Sequence, residues 1–396
     1  MGHPSNGSVE NVFEDLKYGI IDIAGFGNIY SGCQMANLDA AWPEGVGVRI
    51  IDNVGKITVR NCDMEEVRCG VFGNNHRALD LFSNDIEALN YGINLYEGKR
   101  NVRIEDNVIA ADDCIFIAAS NNGNFPIDIK SNSLTPRSHG IYTGHINGKL
   151  NIEEANTIYM DHEPGAAHGI FGLLNSVPVV IKNTDLSFTD PDAAANTGIT
   201  IMDCKNGQVV ENTISGSSSN PYNLGLGIVG FNSPNYLYCC NELDDSQVGE
   251  SFILMCNDNK IANTVFDDHY TALYLSHAVI SPQINTGNDW TGATTTEDAR
   301  YEGDFVLIPA SLFEIDDDLV PSGHSKIFVP SGALPEDWFI FEGTDPICED
   351  WTDEDEYCGK DPYFLVEDPN EFTALTSTDL AAIDPPQGSD TSAVLN

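Results

Sequence analysis

The chain has 396 residues, 41% of them hydrophobic, which is enough for a large core and lies outside the composition of disordered proteins. With 18 basic against 61 acidic residues the formal net charge is −43, which repels phosphate backbones and anionic membranes and argues against nucleic-acid binding. That balance suits saline surroundings or the binding of divalent cations such as Ca2+, and no run approaches the apolar length of a membrane span.

At the amino end, Met1 to Asn6 has neither the charged nor the apolar region of a secretory leader, so none is expected in this stretch. The pattern that organises the rest of the chain is already running at Val9-Glu10-Asn11-Val12-Phe13, leaving no residues to cover the open end of a repeat core. Open solenoid ends aggregate, so the chain is expected to be part of a longer polypeptide. The alternative is a short helix with Val9, Val12, Phe13 and Leu16 on one face.

The pattern itself is an asparagine followed, after a variable interval, by a small residue and then an apolar one. The asparagines are Asn11, Asn37, Asn61, Asn84, Asn107, Asn132, Asn156, Asn183, Asn212, Asn241 and Asn263, at intervals of 22 to 29 residues. The small residues are Gly19, Gly47, Gly70, Gly92, Cys114, Gly140, Gly169, Gly198, Gly227, Ser251 and Ala272. Each is followed by Ile20, Val48, Val71, Ile93, Ile115, Ile141, Ile170, Ile199, Ile228, Phe252 or Leu273 in turn.

Such a period fits leucine-rich repeats or a β-helix. Runs such as Leu79-Asp80-Leu81, Val102-Arg103-Ile104 and Ile127-Asp128-Ile129 alternate with the period of a strand, and no Leu-x-x-Leu-x-Leu frame is present. The expected fold is therefore all-β: a single-stranded, right-handed parallel β-helix of about eleven coils over 1–288, roughly 50 Å long at ~4.8 Å per coil. Asparagine suits the repeated bend because it tolerates the left-handed region and its amide can bond its copies above and below.

Of the ten cysteines, none sits at metal-ligand spacing, and Cys239-Cys240 is too tight for a zinc knuckle. Cys114 falls in the small column and reads as a buried thiol. Cys348 and Cys358 bracket an acidic loop that a disulfide would hold together, which points to an oxidising, extracellular setting. The repeat fades around Gln283-Ile284-Asn285. Residues 289–383 are expected to form an acidic, irregular β-rich capping or flanking region, and 384–396 a linker-like tail.

Two residues beyond the small column the side chains are expected to point outward, and there Phe116, Tyr142 and Phe171 fall on consecutive coils. Aromatic rings at that pitch make a platform for sugar rings, with Arg137 nearby as a further substrate contact. The longer turns before Gly169, Gly198 and Gly227 provide the alternative, a cover over the same face. One residue before the small column, Asp113, His139 and His168 lie in register, able to share protons or hold a cation; the alternative for each histidine is a satisfied structural position. Asp112 precedes Asp113, and His145, Asp161, His162 and Glu163 are near in sequence.

Asp112-Asp113-Cys114-Ile115, then His139-Gly140, then Ile181-Lys182 resembles the Asp-Asp, Gly-His-Gly and Arg-Ile-Lys series of polygalacturonase-type β-helix hydrolases. The resemblance implies Asp113 as general acid, Asp112 as a base acting through water, His139 as support for the acid and Lys182 as a contact for a substrate carboxylate. The family's Asn-Thr-Asp is replaced one coil earlier by Tyr91-Gly92-Ile93-Asn94, Ser138 stands for the first glycine and Val180 for the arginine. Over about 9–287 the chain resembles the repeat domains of the pectin-lyase-like superfamily, which implies a place in a large secreted bacterial surface protein. The expected function is a noncatalytic extracellular module that binds a polysaccharide or cell-surface glycan or acts as a stalk; the alternative is a polysaccharide hydrolase or lyase using Asp112, Asp113, His139 and His168.

Overall fold

The structure is a computed structural model that describes residues 11–14, 16–38, 44–120, 123–160, 167–176, 178–189, 196–217, 224–284, 286–291, 296–315 and 323–341. It is a parallel β-solenoid of about eleven turns. Each coil gives one short strand to a 10-stranded sheet and one longer course, bent near its middle, to a 21-stranded sheet. In four consecutive coils that course is unbroken, as Asp63–Asn74, Asp85–Tyr96, Val108–Ala118 and Ser133–Gly144. In the next three it is split at the bend, between Asn156–Met160 and His168–Leu173, Thr184–Phe188 and Asn196–Met202, and Thr213–Ser215 and Leu224–Phe231. The surplus residues of the longest repeats fall in those gaps.

The apolar column faces inward. Ile93, Ile115 and Ile141 are fully buried and pair side by side across neighbouring strands. The small column has a steric cause rather than a dihedral one. A β-carbon added at Gly92 would sit 2.6 Å from the carbonyl oxygen of Cys114 in the next coil, and one at Gly140 would sit 2.5 Å from that of Gly169. One coil departs from the expected register: Gly249, not Ser251, follows Gly227 in the small column, and Glu250, not Phe252, pairs with Ile228 and Leu273 in the apolar one. A carboxyl group thus occupies a core position.

The asparagine bend separates two jobs that the sequence pattern had assigned to one residue. The left-handed position is filled by Asn61, Ser83, Asp106, Ser131, Ala155, Asn183, Glu211, Cys240 and Asn263. The next residue forms the buried ladder: Cys62, Asn84, Asn107, Asn132, Asn156, Thr184, Asn212, Asn241 and Thr264. Within it, Asn84 Nδ2 donates to Asn107 Oδ1 at 2.9 Å, Asn107 Nδ2 to Asn132 Oδ1 at 3.0 Å, and Asn132 Nδ2 to Asn156 Oδ1 at 3.0 Å. Asn61, Asn183 and Asn263 are therefore one residue out of the ladder. Asn37 is further out, because Cys33 pairs with Asn11 and continues that column. These amides satisfy each other and the carbonyls of the turn, which removes the cost of burying them.

A second polar column at another corner, with no repeated residue type, was not legible beforehand. There Asn175 Oδ1 accepts from the Ile146 amide at 3.0 Å, Ser233 Oγ from Cys204 at 3.2 Å and Ser311 Oγ from Ile280 at 3.0 Å. At the amino end Asn11–Glu14 is a strand paired with Cys33–Ala36, in place of the alternative helix over Val12 and Phe13.

Parallel stacking also runs on past residue 288. Glu297–Glu302 pairs with Thr271–Val279, Ile327–Phe328 pairs with Glu297–Glu302, and Phe313–Ile315 lies between Gln283–Ile284 and Phe339–Phe341. The described part of 289–383 thus extends the winding. Its core is aromatic, with Trp290, Phe313, Trp338 and Phe339 joined by ring contacts, whereas the core of the coils up to Ile158 is mainly aliphatic and aromatic side chains enter it from Phe188 onward. Cys348, Cys358 and the tail lie outside the described residues. Among the described residues no helix is long and apolar enough to cross a membrane.

Candidate functional site

The bend of the 21-stranded sheet places Asp113, His139 and His168 in one column and Phe116, Tyr142 and Phe171 in the next outward column along the same strands. His139 Nδ1 lies 2.7 Å from Asp113 Oδ1 and 2.9 Å from Ser138 Oγ. The Asp113 and His139 side chains are 16% and 24% exposed, so solvent reaches both. A carboxylate on Nδ1 orients the imidazole and leaves its other nitrogen for a ligand or a proton. The His168 ring stacks on His139 with centroids 5.4 Å apart, and its Nδ1 lies 3.3 Å from Thr200 Oγ1. Burial, and to a smaller extent the His139 ring, pushes His168 down to about 4.

The rings beyond form a continuous stack. Phe116 and Tyr142 are parallel within 3° at 4.4 Å, and Tyr142 and Phe171 within 8° at 5.6 Å. His139 meets Tyr142, and His168 meets Phe171, edge to face. Tyr91 and Tyr96, which the repeat pattern did not single out, extend the aromatic surface by contacts with Phe116 at 5.7 and 5.6 Å. Tyr91 pairs with Asp113 in register, a placement that aligning the coils on Gly92 and Cys114 would have shown. Asn94, buried between Phe72 and Phe116 in the column, interrupts the series of rings.

Arg137 is close by but engaged. Its Nε donates to Asp112 Oδ1 at 2.6 Å, and Nη2 donates to the carbonyls of Ala88 and Leu89 at 3.1 and 2.9 Å. It clamps three successive coils and holds Asp112 in an ion pair. Lys182 is elsewhere: it ends the strand Val179–Lys182 of the 10-stranded sheet and pairs with Glu211 at 3.2 Å. The structure therefore brings Asp112, Asp113, Arg137, His139, His168, Phe116, Tyr142 and Phe171 together and leaves Lys182 on another face. His145 is exposed at a corner, and Asp161, His162 and Glu163 lie outside the described residues. Among the described residues, no three His, Cys, Asp or Glu side chains gather around a point that would hold a metal ion.

The class this architecture defines is the parallel β-solenoid, carrying an Asp–His pair beside an aromatic stack on one lateral face. A scan against protein-family models finds no match, and a search of curated proteins likewise finds none.

Proposed function

We propose that the solenoid is an extracellular, noncatalytic glycan-binding module of a larger secreted surface protein, related to the pectin-lyase-like repeat domains. The observation that supports this most is the Phe116–Tyr142–Phe171 stack, whose column runs along the rod as an extended polysaccharide would. The rings stack face to face on one another, so a glycan lying along the rod meets their apolar edges as a continuous strip, and the polar atoms of Ser138, His139 and Asp113 border that strip to meet hydroxyl groups. The test is retention on a panel of insoluble neutral and acidic polysaccharides. Tyr142→Ala is expected to weaken retention on the preferred polymer by about tenfold. Equal retention of the variant and the parent on every polymer refutes the reading.

The Asp113–His139 contact favours one other reading, a polysaccharide hydrolase or lyase. There Asp113 serves as general acid supported by His139, and Asp112 activates water. The Arg137 guanidinium, 2.6 Å from Asp112 Oδ1, fixes the position of that carboxylate beside Asp113. Reducing-end and unsaturated-uronate assays on the same panel decide between the two: turnover that Asp113→Asn abolishes replaces the binding module with the enzyme.

A further inference from the structure

Farther along the outward column that carries Phe116, Tyr142 and Phe171, the series continues through Thr200, Val229 and Ser251 to Tyr274 and Arg300. At that end the face is concave. A groove of about 450 Å³ is lined by Gln247, Val248, Tyr270, Thr271, Tyr274, Arg300 and Glu302. Tyr270 is 47% exposed and Tyr274 half-buried, so the groove has two aromatic contributors.

Its polar groups are fixed by each other. Arg300 Nε donates to Glu297 Oε2 at 2.7 Å, Nη2 to Glu297 Oε1, and Nη1 to Glu302 Oε1 at 3.4 Å. Tyr274 donates its hydroxyl to Glu302 Oε2 at 2.7 Å, and Thr271 Oγ1 to Glu297 Oε2 at 2.9 Å. Of the charged groups only Arg300 and Glu302 line the groove, and Glu297 lies buried against Arg300, so two carboxylates neutralise the one guanidinium and leave no free cation to attract an anion in a chain of net charge −43. That charge disfavours uronates, sulfated sugars and phosphates. A neutral ring meets no such penalty: it can stack on tyrosine while its hydroxyls exchange hydrogen bonds with Gln247, Glu302 and the remaining guanidinium N–H groups.

We propose that this groove is a second saccharide subsite, selective for a neutral sugar unit, which engages the same glycan chain as the Phe116–Tyr142–Phe171 stack. The inference rests on the glycan-binding reading of that stack. From Phe171 to Tyr274 is four coil steps, about 19 Å at ~4.8 Å each. A single extended oligosaccharide parallel to the rod can bridge the two, and the second contact then adds by effective concentration.

The experiment is calorimetric titration of the full chain with neutral gluco-, xylo- and manno-oligosaccharides and with oligogalacturonides, each from two to ten units. For at least one neutral series, affinity is expected to rise by about tenfold once the oligomer spans both contacts. Tyr270→Ala and Tyr274→Ala remove that gain and leave short oligomers bound as before, whereas Tyr274→Phe, which keeps the ring, retains it. Tyr142→Ala weakens the short oligomers. The subsite is overturned if no neutral series gains with length, if the gain survives both tyrosine-to-alanine changes, or if oligogalacturonides bind more tightly. Sensitivity to Tyr142→Ala alone overturns the subsite only. Sensitivity to Tyr274→Ala alone overturns the aromatic-stack reading and the bridging with it, and leaves the groove as a single saccharide site.

Discussion

Glu250 offers the sharpest test of the coil register, because the stack puts its side chain where ten other coils have an aliphatic residue or its equivalent. Its side chain is fully buried between Ile228 and Leu273, and neither carboxyl oxygen has a hydrogen-bond partner. Burial pushes the carboxyl up to about 8 from an ordinary 4.5. The unfolded chain releases this proton at lower pH than the folded one. Stability from this group is therefore fully present below pH 4.5 and is lost as pH rises through 8. At ~1.36 kcal/mol per pKa unit, the loss is about 3 kcal/mol by pH 7 and about 5 kcal/mol above pH 8.

Glu250→Leu removes the titrating group and restores the apolar column. Urea unfolding monitored by tryptophan fluorescence at pH 5, 7 and 8.5 is expected to show the variant about 3 kcal/mol more stable than the parent at neutral pH, with the gap widening as pH rises. Glu250→Gln, which keeps an unpartnered polar group but cannot ionise, is expected to lose the pH dependence and gain less. A leucine variant no more stable than the parent, or a parent whose pH profile matches that of both variants, refutes the placement of Glu250 in the core.

The separation of the left-handed position from the ladder position predicts unequal costs for neighbouring asparagines. Asn107→Ala strands amide and carbonyl groups of three coils and is expected to cost about 3 kcal/mol or more, whereas Asn61→Gly, at a left-handed position outside the ladder, should change stability by under about 0.5 kcal/mol; denaturant midpoints of the two variants decide. His168, with burial holding its imidazole down at about 4, is expected to stay neutral from pH 5.5 to 8. Its ring resonances should not move in that range, and an NMR titration midpoint near the ordinary 6.5 would contradict the packing against His139 and Phe171.

What could be read from the chain was set by chemistry that repeats. The small column was legible because one cause, the approach of the next coil's carbonyl, acts at Gly19, Gly47, Gly70, Gly92, Gly140, Gly169, Gly198 and Gly227 alike. It failed at coil ten, where Gly249-Glu250 breaks the expected small-apolar pair and Ser251-Phe252 imitates it one turn of alternation later. The asparagine column misled by one residue at Asn61, Asn183 and Asn263, because left-handed backbone and ladder bonding both select asparagine. The corner through Asn175, Ser233 and Ser311 was invisible because amides and hydroxyls serve there interchangeably as acceptors. At the site, register alone aligned Asp113, His139 and His168, while the role of Arg137 depended on carbonyls a coil further down. Lys182 came from local resemblance to a motif, and winding carries it to a different sheet.

The strands that follow the breaks after Met160, Phe188 and Ser215 resume their pairing in register at His168, Asn196 and Leu224, so the scaffold accepts repeats of unequal length at that edge without disturbing its stack. That edge borders the imidazoles and rings of the lateral face. Foreign segments spliced there would be displayed as a row of fingers beside the same patch, spaced by the coil rise, while the hydrogen-bonded spine behind them kept its alignment.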